Sequence, residues 1–386
     1  MSNSRLSAVR KPMLFGQSDA IPASSGRSHL RAIRPEIRRA ERYAPPFAER
    51  NIINLSLNEH HAPPPQAIVN ALGSLNPAAL VTYDTENERK LRERIADREG
   101  VEPENVLLCP GSSAGLAQLF SSLEDGIVVF PSIVWNYYAR LARVWGLHEA
   151  RYDLVRRGDT FEIDTPSLLR VFDREDPALV LFIEPHMPTG AACADDLPIS
   201  VAEAAPSSLV LVDEAYEGFG ARPSLAPRVL DHPNLIVSKT FSKYFGLAAL
   251  RVGYLVASGR IVEELSKTSS PFHMPLCSSI IALAALEAEA EYRALAVEMA
   301  ETREAFRKRL LPLSGVEALS SHANFVLVEL PSPSDAAAIE ARLFAQGIAV
   351  RSASGYGMPN ALRIGVGTND VMAEVASAIE AQVAGR

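Results

Sequence analysis

Lys243 stands in the run Ser238-Lys239-Thr240-Phe241-Ser242-Lys243, crowded by hydroxyls, and Arg251 follows it beyond the stretch Gly246-Leu247-Ala248-Ala249. A lysine amine holds an aldehyde as a Schiff base, and the guanidinium fork is the best side-chain match for a phosphate. One cofactor needs both, pyridoxal 5′-phosphate, with Lys243 as the amine and Arg251 as the anchor. Lys239 competes for the role. It follows the apolar Leu235-Ile236-Val237 directly and reads as a strand-end residue, whereas Lys243 leads into small residues where backbone can pass close to a ligand.

Upstream, Ser208-Leu209-Val210-Leu211-Val212-Asp213 is an apolar run closed by an acid. It reads as a buried parallel strand presenting Asp213 at its carboxyl end, where ligands of open α/β sheets sit. A pyridine ring used as an electron sink needs a carboxylate to keep its nitrogen protonated, and Asp213 supplies one. Tyr216 can donate to the ring's phenolic oxygen. Val106-Leu107-Leu108 reads as a short strand, Gly111-Ser112-Ser113 as a small-residue turn and Leu116 to Phe120 as the start of a helix. Free backbone N–H groups there would point at an anion, which makes Ser112 and Ser113 phosphate donors alongside Thr240, Ser242 and Arg251.

These segments, in this order, give the chain from about Asn51 to Arg386 its identity of type: it resembles the fold-type I, pyridoxal-phosphate-dependent aminotransferases of class I and II, most closely the histidinol-phosphate aminotransferase branch. Leu55-Ser56-Leu57-Asn58-Glu59 resembles the opening segment, Cys109 to Gly115 the phosphate turn, and Ser321-His322-Ala323-Asn324-Phe325 and Leu362-Arg363-Ile364-Gly365 the closing ones. The resemblance implies that Arg363 grips a substrate carboxylate, that Asn58 belongs to the substrate site, and that Tyr83 reaches the cofactor phosphate of a neighbouring subunit. It implies an aromatic on the pyridine ring as well. The usual position holds Ile133, and counting back from Gly146 moves the role to Trp135, with Tyr138 as the following aromatic. Arg351 either faces the substrate pocket or is solvated. Ile183-Glu184-Pro185-His186-Met187-Pro188-Thr189-Gly190 departs from the pattern by placing Met187 where the family has a hydrogen-bonding asparagine. His186 is either a replacement donor or a satisfied loop histidine, and the second reading is preferred.

The elements that must position these groups alternate between helix and strand to about residue 270. The expected fold is α/β, fold type I: a large domain (76–276) with a mainly parallel seven-stranded sheet, and a smaller α+β domain (51–75 and 277–386). Cys277 to Leu311 reads as one long helix. Ala323–Leu330, Ala349–Arg351 and Leu362–Val366 read as strands of the smaller domain, with helices near 335–346 and 370–383. Residues 1–50, basic from Arg5 and Arg10 to Arg42 and Arg50, read as an arm, disordered or crossing to a partner subunit.

A content of 47% hydrophobic and 22% charged residues fits a globular enzyme, and the net charge of −8 argues against a general nucleic-acid binder. No apolar run has the length of a membrane span. Cys109, Cys193 and Cys277 have neither metal-ligand spacing nor the even count of a disulfide framework, so no metal is expected and a cytoplasmic setting is. The sequence therefore reads as a homodimeric aminotransferase acting on small amino and keto substrates. The alternatives are a decarboxylase, lyase or cyclase on the same cofactor, and a non-catalytic cofactor-binding regulator.

Overall fold

Branched and long apolar residues dominate β1 (Val106–Cys109), β2 (Ile127–Pro131), β4 (Leu179–Ile183), β5 (Leu209–Asp213), β6 (Leu235–Thr240) and β7 (Gly253–Ala257), while the edge strand β3 (His148–Tyr152) is largely polar. Most are buried on both faces, as a helix-covered sheet requires. The computed structural model, which describes residues 29–40, 52–193, 196–220 and 222–385, joins them in one seven-stranded sheet of order β1-β7-β6-β5-β4-β2-β3. The pairs β3–β2, β2–β4, β4–β5 and β5–β6 are parallel, while β7 runs antiparallel to both β6 and β1. The expected mainly parallel sheet is thus the one formed. Asp213 and Thr240 are the last residues of β5 and β6, at the carboxyl edge where the helix α1 (Ser112–Ser122) also begins.

A second sheet is antiparallel, with β8 (Glu317–Ala318), β9 (Phe325–Glu329), β10 (Arg351–Ser352) and β11 (Ala361–Gly365) in the order β8-β9-β11-β10. Val350 interrupts the run read as one strand over 349–351, because Ile348–Ala349 turns away to pair in parallel with Ile53–Asn54. Between α1 and this sheet come α2 (Asn136–Trp145), α3 (Leu276–Glu287) and α4 (Glu289–Leu310).

The long helix expected from Cys277 to Leu311 is two helices. Ala288, with φ −89° and ψ 15°, separates α3 from α4 without a glycine or proline to mark the break. Two causes act. Ala288 is packed into the core of the large sheet, and Glu289 and Glu291 just after it favour a new helix N-terminus. Residues 66–73 and α3, expected with the smaller domain, also pack on the large-sheet core through Ile68, Ile281 and Ala285. α4 serves both cores, giving Tyr292, Ala296 and Met299 to the large sheet and Phe306 and Leu310 to the small one.

Of the N-terminal segment, residues 29–40 lie against α2 of the same chain, where Arg34 sits 5.4 Å from the centre of the Trp145 ring. The remainder of the expected arm, 1–28 and 41–51, lies outside the described residues. Among the described residues no helix is long and apolar enough to cross a membrane, and no group of three or more His, Cys, Asp or Glu is arranged to hold a metal ion.

Lys239 lies within β6, 3% exposed, and its ammonium answers a cluster of acids on one side of the sheet. Its Nζ is 2.8 Å from Glu99, 3.3 Å from Glu217 and 3.7 Å from Glu214, and Tyr254 donates to Glu99 at 2.7 Å. Removing one member of a buried ion network leaves the others uncompensated. Lys239→Met is therefore expected to lower unfolding stability by about 3–5 kcal/mol. Urea titration checks this: the midpoint falls with little change in slope, and an unchanged midpoint would contradict the assignment.

Candidate active site

The turn from β1 into α1 brings a helix N-terminus against an arginine. Gly111 has φ +84°, and any side chain there would overlap the Arg251 guanidinium, so glycine is required both by conformation and by the close approach. Arg251 itself has φ +51°, a left-handed backbone that costs a non-glycine residue energy. Its side chain is held by Ala248 O at 2.9 Å, Ser242 Oγ at 3.4 Å and Ser113 Oγ at 3.5 Å. Thr240 Oγ1 donates to Ser242 Oγ at 3.0 Å, fixing the hydroxyls around the same point. Backbone amides, hydroxyls and a guanidinium converge there as an anion site needs.

Asp213, 3% exposed, lines the same cavity as this cradle. Burial pushes its carboxyl up to about 6, and hydrogen bonds from Tyr138 and the Ala215 amide work in the opposite direction. Lys243 follows the turn after β6 and donates through Nζ to Leu57 O at 2.7 Å. Burial, with the nearby Arg363, brings its amine down to about 8, so a neutral, nucleophilic fraction exists near physiological pH. The Tyr216 ring lies 5.7 Å from Lys243 Nζ, and its hydroxyl accepts from Asn58 Nδ2 at 2.9 Å. Trp135 lines the cavity and stacks on Tyr137 at 4.7 Å, while Ile133 packs elsewhere, against the Phe161 and Leu327 cluster.

The second sheet closes the cavity with two arginines. Arg351 and Arg363 are directly opposed across β10 and β11, which puts both side chains on one face. Arg363 is 5% exposed, bonds to Ser56 O and to Met187 Sδ at 3.0 Å, and leaves its Nε without a partner. Among the described residues no carboxylate lies within ion-pair distance of Arg251, Arg351 or Arg363. Like charges opposed on neighbouring strands repel, so this wall is built for an anion.

The resulting cavity measures about 290 Å³, close to the lower end of the roughly 300–1,000 Å³ usual for small-molecule sites. Ser112, Ser113, Trp135, Asp213, Tyr216, Thr240, Ser242, Lys243, Arg251 and Arg363, all singled out in the sequence, line it. Gly111 lies just behind. Asn58 does not line it: buried, with φ +54°, it braces the Tyr216 hydroxyl from outside. Tyr83 is 77% exposed and stacks on Phe272 at 4.3 Å, away from the cavity of its own chain. His186 is a satisfied structural histidine, with Nδ1 2.8 Å from Thr189 Oγ1 and Nε2 2.9 Å from Ile133 O.

Sequence reasoning missed the lining residues Glu59 and Tyr356 and the bond from Tyr138 to Asp213. The quoted opening segment contains Glu59, but nothing in its type distinguishes it from a solvated acid. Tyr356 lies between Gly355 and Gly357, where only a loop can be read. The donor set fits pyridoxal 5′-phosphate at each end: a cradle without a counter-anion for the phosphate, an amine for the aldehyde, and a buried carboxylate that lacks a cation for the ring nitrogen.

The depressed Lys243 amine has a measurable consequence in the cofactor-free protein. Below about pH 8 the amine is charged folded and unfolded alike, and the fold bears the cost of burying it. Between about 8 and the unfolded value of about 10.4, the unfolded chain binds more protons, so stability rises with pH. Lys243→Met is expected to raise the melting temperature at pH 7 and to lose that advantage above roughly pH 10.4. Paired thermal melts at the two pH values check this, and a gain independent of pH would contradict it.

Comparison with known proteins agrees with this geometry. The chain is similar to histidinol-phosphate aminotransferases from Haloferax volcanii (31% identical, 82% of this chain and 86% of the relative) and Chromohalobacter salexigens (32%, 90% and 97%). Its fold is similar to the crystal structure of histidinol-phosphate aminotransferase from Sinorhizobium meliloti in complex with pyridoxal 5′-phosphate, with TM-score 0.81, 24% identity, and 91% and 97% of the two chains covered. Residues 50–379 match the model of the family described as aminotransferase class I and II, and the chain belongs to that family.

Proposed function

We propose that this protein transfers an amino group between a small amino acid or amino phosphate and a 2-oxo acid, with pyridoxal 5′-phosphate as its cofactor and Lys243 as the amine that holds it. The observation that carries the reading is the meeting, on one cavity, of a depressed lysine amine, a buried carboxylate lacking a cation and an arginine wall lacking an anion. When bound, the cofactor supplies an aldehyde that condenses with amines and a protonated ring that accepts the electron pair left at the substrate Cα.

Ser112, Ser113, Thr240, Ser242 and Arg251, with the amides at the start of α1, hold the phosphate. Asp213 keeps the ring nitrogen protonated, Tyr216 donates to the phenolic oxygen, and Trp135 covers one face of the ring. Once an amino substrate has taken its place, Lys243 Nζ is free to accept the Cα proton, a task suited to a group titrating near neutrality. Arg363 receives a substrate carboxylate in its planar fork, and Arg351 beside it receives a second anionic group. Histidinol phosphate is accordingly the first amino donor to test, because relatives spanning most of the chain carry that substrate in their names.

A homodimer is part of the proposal. Leu80, Val81 and Tyr83 are 63%, 85% and 77% exposed, a cluster of apolar side chains suited to a second copy, with Tyr83 of one subunit reaching the phosphate of the other. The cysteine pattern supports a cytoplasmic setting.

Purified protein loaded with the cofactor is expected to show a visible band of lysine-bound aldehyde and to convert it to pyridoxamine phosphate when given histidinol phosphate or another amino donor from a panel. Lys243→Ala abolishes the band. Arg363→Lys raises the KM for the 2-oxo acid by roughly 10- to 100-fold, the scale of a lost charge-assisted hydrogen bond. Release of carbon dioxide or ammonia without amino transfer would overturn the reading.

A further inference from the structure

Tyr138 enters the first turn of α2 and is 2% exposed, wedged edge-on against Trp135 at 5.7 Å between ring centres and 88° between planes. Its hydroxyl donates to Asp213 Oδ2 at 2.5 Å, the range of a hydrogen bond to an ionised oxygen. The other carboxylate oxygen, Oδ1, accepts from the Ala215 amide at 3.1 Å. Among the described residues no lysine, arginine or histidine forms an ion pair with Asp213. A buried carboxylate with no cation thus rests on one side-chain donor and one amide, and only the first can be removed by substitution.

We infer that Tyr138 is a positioning residue which acts through Asp213, fixing that carboxylate in one orientation and in its charged form opposite the ring nitrogen of the cofactor. Three features of the site serve this role. The Tyr138 hydroxyl is itself held well above its ordinary value by burial and by Asp213, so it remains a donor throughout the working range. Its bond opposes the upward push of burial on the Asp213 carboxyl. Its ring is locked by Trp135, the residue assigned to the cofactor face, so that one helix start sets both the face contact and the nitrogen contact. Tyr216 also lies near Asp213, but its hydroxyl accepts from Asn58 and makes no hydrogen bond to the carboxylate, so among the described residues Tyr138 is the tyrosine bound to Asp213.

The inference rests on reading the cavity as the pyridoxal-phosphate site, and its test separates the two. Wild type, Tyr138→Phe, Asp213→Asn and the double variant are compared by cofactor dissociation constant, by the near-ultraviolet and visible spectrum of the loaded protein, and by kcat and KM. Tyr152→Phe is the control, since Tyr152 is equally buried and its hydroxyl donates to Leu181 O at 3.0 Å, remote from the cavity lining. Tyr138→Phe is expected to weaken cofactor binding by roughly 10- to 100-fold, shift the cofactor spectrum and lower kcat more than it changes KM. In the Asp213→Asn background the same substitution should change cofactor affinity by less than about twofold, because the partner is gone. Tyr152→Phe should lower thermal stability without moving the spectrum. An undiminished loss in the Asp213→Asn background, or an unchanged affinity and spectrum in Tyr138→Phe alone, overturns the inference. Failure of the wild type to bind the cofactor overturns instead the functional reading beneath it.

Discussion

The constraint on which the rest of the structure turns is charge left without a counter-ion. Arg251, Arg351, Arg363 and Lys243 share one cavity with only Asp213 and Glu59 of opposite sign. Arg363, the buried cation of the set, is tolerated only because the surrounding fold over-determines it, since a charge buried unpaired costs several kcal/mol. The surroundings are accordingly rigid: a sheet with closed strands on one side, a fully buried loop at 184–190 on another, and a second sheet whose strands carry the arginines. Contrast Lys239, as deeply buried as anything in the site yet paired with Glu99, Glu217 and Glu214. Two lysines four positions apart in sequence thus sit in opposite surroundings, one neutralised by carboxylates and one without an ion pair among the described residues.

Much of this was legible in the chain itself, and the reason is local. An apolar run ending in an acid must be a buried strand with its charge at the end, and a glycine-serine turn between strand and helix must expose amides. Those rules point to Asp213, Ser112 and Ser113, and the lysine set among hydroxyls with an arginine after it points to Lys243 and Arg251. Arg363 and Trp135 needed the family pattern, because their partners come from segments distant in sequence. What stayed illegible depended on packing across the chain. The break at Ala288 carries no turn residue, Asn58 turns behind Tyr216 because of a left-handed backbone that its sequence neighbours do not demand, and Tyr138 finds Asp213 only once α2 has docked on the sheet.

The segment at 56–58 is tied to the cavity wall by side-chain donors. Arg363 donates to Ser56 O, Lys243 to Leu57 O, and Asn324 to the carbonyl of Asn58, so three successive carbonyls of one segment collect donors from both sheets.

α4 has a different kind of consequence. A 22-residue helix that lends its first half to one core and its second half to the other acts as a shared beam. Melting either core would strip one end of that beam of its packing and leave it to fray toward the other, so neither sheet can be lost alone. The two lobes that wall the cavity are in this sense one cooperative body, and the distance between the arginine wall and the lysine is set by a member that belongs to both.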